Sequence, residues 1–184
     1  MGLEHPIAPR WIPGRIKRRT YLQQLLPALL GGGWAMLVGG KAYPMSDEPM
    51  MRDLFDRWER VWHEGQFDLV PSCVGEHYTR HDEGGDRTVS REAYAAEIAK
   101  IRQERPDIRV VVYDHSFEGD RAWFRFAFKW TDQKTHEPRS RAGMQSYRVQ
   151  DGKLAETWLS MQPLGSAWSD AAAQEHWTSP PPIK

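Results

Sequence analysis

An α+β fold is predicted for the central part of this chain, and three observations predict it. Apolar residues from Met51 to Ile101 recur at helical spacing. After Ile108 they alternate with period two, and Asp151-Gly152 sits between two such runs as a tight hairpin turn. Helices first and an antiparallel meander after is the order of a small curved sheet wrapped over helices. Residues 46–165 are enough to bury a real core.

The elements follow in order. Ser46 suits a helix N-cap, with Asp47 and Glu48 favourable in the first turn and Pro49 tolerated there. Met51, Leu54, Phe55, Trp58, Val61 and Trp62 then form an apolar stripe, and Gly65 ends the helix as a C′ residue. Phe67 to Glu76 reads as a short second helix, broken near Pro71. Ser90 caps a third helix with Tyr94, Ile98 and Ile101 on one stripe, and Pro106 stops it. Ile108–Tyr113 is β-branched, and Glu118-Gly-Asp120 is a turn. Ala122, Phe124, Phe126, Phe128 and Trp130 alternate with Trp123, Arg125, Ala127 and Lys129, giving one apolar and one mixed sheet face. Arg141–Val149 and Leu154–Gln162 close the meander. In the tail, residues 166–184, the run Ala171–Trp177 reads as a short helix before a proline-rich, disordered end.

Bulk chemistry narrows the function. Among 184 residues, 25 Lys+Arg balance 25 Asp+Glu, so no charge excess points to nucleic acid or an acidic membrane surface. Nine Trp can build a core or line a cavity. The single cysteine, Cys73, excludes an intrachain disulfide and cysteine-rich zinc sites, and its apolar neighbours give it the look of a buried, inert thiol. The histidines at 77, 81, 115, 136 and 176 lack metal-ligand spacing. There is no phosphate loop, nucleophile elbow or dinucleotide fingerprint, so neither a metal nor a cofactor is expected.

Residues 1–45 differ in kind. Lys17-Arg-Arg-Thr-Tyr-Leu-Gln23 precedes an uncharged apolar run, Leu25–Gly40, and then Gly40-Lys-Ala42. That pattern resembles a twin-arginine export signal with a small-residue cleavage site, which implies a periplasmic or exported protein. Three alternatives stay open. The segment could be a retained membrane anchor, although its glycines and Pro27 make a poor spanning helix. It could be a buried core helix, although Gly31-Gly-Gly33 would break one. Or Met45 could start a cytoplasmic domain.

Trp62-x-x-Gly-x-Phe-Asp68, Tyr78-Thr-Arg-His-Asp82 and Tyr147-Arg-Val-x-Asp-Gly-Lys-Leu-x-Glu-x-Trp158 together resemble the family with the nuclear transport factor 2 fold. Within it, the resemblance is to the SnoaL-like polyketide cyclases and ketosteroid isomerases. It implies an NTF2-like cone of three N-terminal helices on a curved, mostly antiparallel sheet. It also implies a cofactor-independent isomerase or cyclase using acid–base proton transfer on a small apolar, oxygen-bearing molecule.

Carried over residue by residue, the isomerases' base falls on Asp82, whose proton affinity an apolar pocket would raise, with His81 as helper. The bland alternative is that Asp82 only opens the turn Asp82-Glu-Gly-Gly85. The isomerases' oxyanion donors fall on Trp58 and Gln145, neither of which is an acid. The cyclases' aspartate position falls on Gln162. Glu156, Trp158, Ser160 and Gln162 share one strand face, and Tyr147 shares its face with Gln145. With Trp62, Tyr78, Phe126 and Trp130 they would wall an aromatic pocket for a flat ligand. A non-catalytic ligand-binding module and a homodimer through Trp123, Arg125, Ala127 and Lys129 of the outer sheet face are the competing readings.

Overall fold

The computed structural model describes residues 48–169 and 172–182. The expectations that fall on residues 1–47, the export signal and the Ser46 cap among them, lie outside the described residues. Helix α1 (Glu48–Glu64) buries Met51, Leu54, Phe55, Trp58, Val61 and Trp62, the predicted stripe, and Gly65 follows with φ +73°. Next comes a 3-10 turn (Phe67–Leu69) and α2 (Val70–Cys73), with Pro71 in the first turn of α2. In α3 (Arg91–Glu104) the Ser90 hydroxyl accepts the Ala93 N–H at 3.1 Å, and the helix ends at Glu104, immediately before Arg105-Pro106.

Six strands make one sheet: β1 (Val74–Asp82), β2 (Gly85–Ser90), β3 (Arg109–Glu118), β4 (Arg121–Thr131), β5 (Pro138–Gln150) and β6 (Lys153–Met161). Their order is β2-β1-β6-β5-β4-β3. All neighbours are antiparallel except β1 and β6, which run parallel. Register shifts after Val112, Val74 and Arg148 bend the sheet around the helices. The Asp151-Gly152 turn has φ of +52° and +70°, the two left-handed residues that a tight hairpin requires.

Two readings of the sequence are corrected. The second helix ends at Cys73 rather than Glu76, and β1 and β2 form a hairpin where no strand was expected. Period-two apolarity is missing there because β1 sends Tyr78, Arg80 and Asp82 to the same side. The described parts of the tail, residues 166–169 and 172–182, hold no helix. Instead Gln174 N–H donates to Val112 O (2.8 Å) and Trp177 Nε1 donates to Val110 O (2.9 Å), so the tail caps the free edge of β3. Glu59 accepts the Trp177 N–H (3.1 Å) and Asp56 accepts the Thr178 hydroxyl (2.6 Å), clasping the segment to α1. Burying Trp177 outweighs the helix propensity of the alanines.

The outer face of the sheet is partly covered by the chain itself. Trp168 Nε1 donates to Phe126 O at 2.8 Å, and the Arg125 guanidinium stacks 5.2 Å over the Trp168 ring. Among the described residues no helix is long and apolar enough to cross a membrane.

Candidate functional site: an inner chamber and its mouth

The concave face of the sheet and the helices enclose a chamber of about 140 Å³. Trp62 from α1, Tyr94 and Ile101 from α3, and Phe124, Phe126 and Phe128 from β4 give it an aromatic and aliphatic wall. Val110 and Val112 from β3, Gln145 and Tyr147 from β5, Leu159 from β6 and Trp177 from the tail complete that wall together with Arg80 from β1. Outside it lies an open groove of about 1380 Å³, with Asp82, Arg87, Arg105, Trp130 and Met161 in its walls. Ile101, Phe128 and Leu159 line both spaces, so the groove is the mouth of the chamber.

Arg80 is the chamber's one charged wall residue. Its guanidinium stacks 4.5 Å over the Tyr94 ring and pairs with Asp82 (2.9 Å) and Glu97 (2.5 Å). Burial works against its charge, but Tyr94, Asp82 and Glu97 outweigh burial and hold its pKa above the usual arginine value. Its Nε–H is buried with no hydrogen-bond partner. Behind the wall, Trp58 and Tyr78 are both 0% exposed, and the Trp58 Nε1 and Tyr78 hydroxyl also lack a well-formed hydrogen bond. Burial pushes the Tyr78 and Tyr147 phenols well above the usual tyrosine range, so both stay neutral donors. Gln145 Nε2 donates to Thr157 Oγ1 at 2.8 Å, and that hydroxyl donates to Ser146 O at 3.0 Å.

Asp82 stands on the rim of the groove, not in the chamber. Its Oδ1 accepts from Arg87 (2.6 Å) and from the Gly84 N–H (2.9 Å), which makes the turn at Asp82. Burial raises its pKa, but Arg87, Gly84 and Arg80 together bring it below the usual aspartate value. The expected raised proton affinity is therefore reversed, because two guanidiniums share this carboxylate.

His81 points the other way. On the outer face its Nδ1 meets Asp86 (2.8 Å), its Nε2 meets Glu156 (2.9 Å), and its ring stacks on Trp158 at 5.0 Å. Glu156 and Asp86 raise its pKa, and no contact takes it to the chamber.

The remaining expected wall residues divide. Trp62, Phe126, Gln145 and Tyr147 line the chamber, while Trp130 lines the mouth. Trp158 does not: it is 36% exposed on the outer face, under the Arg121 guanidinium at 5.1 Å. Gln162 is exposed beyond the end of β6. The cause is register. Tyr147 faces Thr157 and Ser146 faces Trp158, so the odd residues of β6 point inward and Glu156, Trp158 and Ser160 outward.

Arg80, Thr157, Leu159 and Trp177 were not read from the sequence as site residues. Arg80 shares the face of Tyr78 by period two, a signal available once 74–82 is read as a strand. Two Trp in an otherwise aromatic-free tail, Trp168 and Trp177, were the signal for Trp177. Among the described residues no cluster of His, Cys, Asp and Glu is placed to hold a metal ion.

The comparisons agree with this architecture. No curated protein matches the chain. A candidate polyketide cyclase from Acidithiobacillus ferrooxidans aligns with a TM-score of 0.57 at 19% identity, covering 64% of this chain and 92% of its own. A SnoaL-like polyketide cyclase from Agrobacterium tumefaciens gives 0.55 at 14% identity over 61% and 91%. An NTF2-like protein from Anabaena variabilis gives 0.54 at 14% over 68% and 98%. These likenesses establish the fold. The SnoaL-like polyketide cyclase profile matches residues 52–167, from within α1 past the end of β6, and so takes in the mouth and all of the chamber wall but Trp177; the chain belongs to that family.

Proposed function

We propose that this chain binds a small, mostly apolar molecule in the inner chamber and holds its oxygen-bearing end on Arg80. The observation that carries the reading is a buried guanidinium with a vacant Nε–H in a wall otherwise built of aromatic and aliphatic side chains. A buried donor without a partner is costly, and a ligand oxygen would satisfy it. Size supports a modest ligand. An apolar cavity of about 150 Å³ is enough to hold benzene, so a chamber of about 140 Å³ takes one ring, with the remainder of the molecule in the mouth.

Ligand-observed NMR with phenol, cyclohexanone and cyclohexane tests this directly. Phenol and cyclohexanone are expected to bind more tightly than cyclohexane. Arg80→Met should erase that order, and Arg80→Lys should restore part of it. Failure of every ring-sized probe to bind the folded wild type would refute the proposal.

Proton-transfer chemistry of the isomerase or cyclase type is the second reading, favoured by one observation: Asp82 and Arg80 are paired at 2.9 Å, so a base and an oxyanion donor are already adjacent. A substrate oxygen drawing on Arg80 would weaken its hold on Asp82 and raise the basicity of the carboxylate. Deuterium exchange at the carbon next to the cyclohexanone carbonyl reports this step. Exchange abolished by Asp82→Asn, with cyclohexanone still bound, supports catalysis; no exchange above the buffer rate leaves binding alone.

A further inference from the structure

The mouth groove carries a charge arrangement that the chamber does not explain. Each acid in its walls has a basic partner: Asp82 has Arg87 (2.6 Å), Glu83 has Arg141 (2.9 Å), Asp132 has Arg139 (3.9 Å) and Glu104 has Lys100 (4.0 Å). Two of its bases have no such partner. Among the described residues, neither the Arg105 guanidinium nor the Lys134 ammonium is paired with a carboxylate.

Arg105 is also held in place. Its N–H donates to Ile101 O at 2.9 Å and its carbonyl accepts from Ile108 N–H at 3.0 Å, which fixes the backbone at the end of α3. Its guanidinium lies 4.8 Å over the Trp130 ring. Stacking occupies the flat face of an arginine and leaves its in-plane N–H donors free, the geometry that recognises carboxylate or phosphate oxygens. Arg105 closes the last turn of α3 onto Ile101, the α3 residue that lines both chamber and mouth.

We infer that the molecule bound here carries an anionic tail group, a carboxylate or phosphate, that reaches from its ring into the mouth, and that Arg105 stacked on Trp130 receives it. This rests on the chamber reading above and adds a second pole to it. The chamber selects a ring with an oxygen for Arg80, and the mouth selects the charge on the tail. Lys134, on the loop between β4 and β5, adds a second positive charge to the same groove.

Calorimetry with the full chain and three ligands that differ only at the tail provides the test: 4-butylphenol, 4-(4-hydroxyphenyl)butanoate and 3-(4-hydroxyphenyl)propyl phosphate. The anionic ligands are expected to bind about tenfold more tightly than butylphenol, as suits a charge-assisted hydrogen bond at a partly wet rim. Arg105→Gln should remove the preference without changing butylphenol affinity, and Arg105→Lys should keep part of it. The ranking of carboxylate against phosphate identifies the tail. Equal affinity for all three ligands, or a preference that survives Arg105→Gln, refutes the anionic pole and leaves the chamber reading standing. If none of the three binds, both readings fail together.

Discussion

Adjacent residues of β1 and β6 live in opposite electrostatic worlds. Arg80, Tyr78 and Thr157 face the interior, whereas His81, Glu156 and Trp158 face out. Inside, one guanidinium has its charge shared among Asp82, Glu97 and a tyrosine ring. Outside, His81, Asp86, Glu156 and Arg148 form a wet network over Trp158. Both clusters look alike as lists of ion pairs. They differ in how much water screens them, and that difference sets what each contributes.

The largest contrast is expected between two tryptophans. Trp177→Ala should cost about 3–5 kcal/mol, because it removes a buried ring, the cap on β3 and part of the chamber wall at once. Trp158→Ala should cost below about 1 kcal/mol, because the ring is already partly in water. Urea denaturation of both variants measures the pair, and equal costs would break the comparison.

The arginines come next. Arg80→Met leaves Asp82 and Glu97 with Arg87 as their one remaining cation and should cost about 2 kcal/mol. Arg148→Met on the outside should cost about 0.5 kcal/mol. The pH dependence sharpens this contrast. Asp82 has a folded pKa below its ordinary value, so its contribution is present above the ordinary carboxylate pKa and fades as pH falls through the lowered value. Asp82→Asn should therefore flatten the acid limb of the stability curve.

A smaller effect is expected at Gln145. Replacing it with Leu removes the bond to Thr157 but leaves that hydroxyl its bond to Ser146 O, so about 1 kcal/mol should be lost. Smallest is the outer histidine. With its pKa raised, the contribution of His81 is complete below the ordinary imidazole value and disappears as pH rises through the raised one. The gap between wild type and His81→Gln in thermal melts should close as pH rises; a gap that widens would overturn the assignment.

The apolar scaffold was the legible part of this sequence. The α1 stripe, the Ser90 cap, the β4 alternation and the Asp151-Gly152 turn are decided by neighbours a few residues apart, and short-range pattern reports them. The site was less legible because it depends on partners far away in the chain. Which face of β6 turns inward is fixed by pairing with β5 and by the parallel contact with β1, so counting from Trp158 put the wrong residues inside. β1 escaped notice because its inward side carries Arg80 and Asp82, residues that read as surface until two opposite charges are seen to neutralise each other there. Resemblance placed Asp82 near the mouth of the cavity, but not the two arginines that hold it.

The tail clasp has a consequence for how this chain comes to be. Val110 waits 67 residues for the indole that covers it. At synthesis rates of about 5–20 residues per second, the delay is roughly 3–13 s. Throughout that interval the β3 margin offers bare peptide groups to any neighbouring strand. The nascent protein is thus open to strand addition at this margin until Trp177 has been made, and shielding it during that interval should raise the yield of folded molecules.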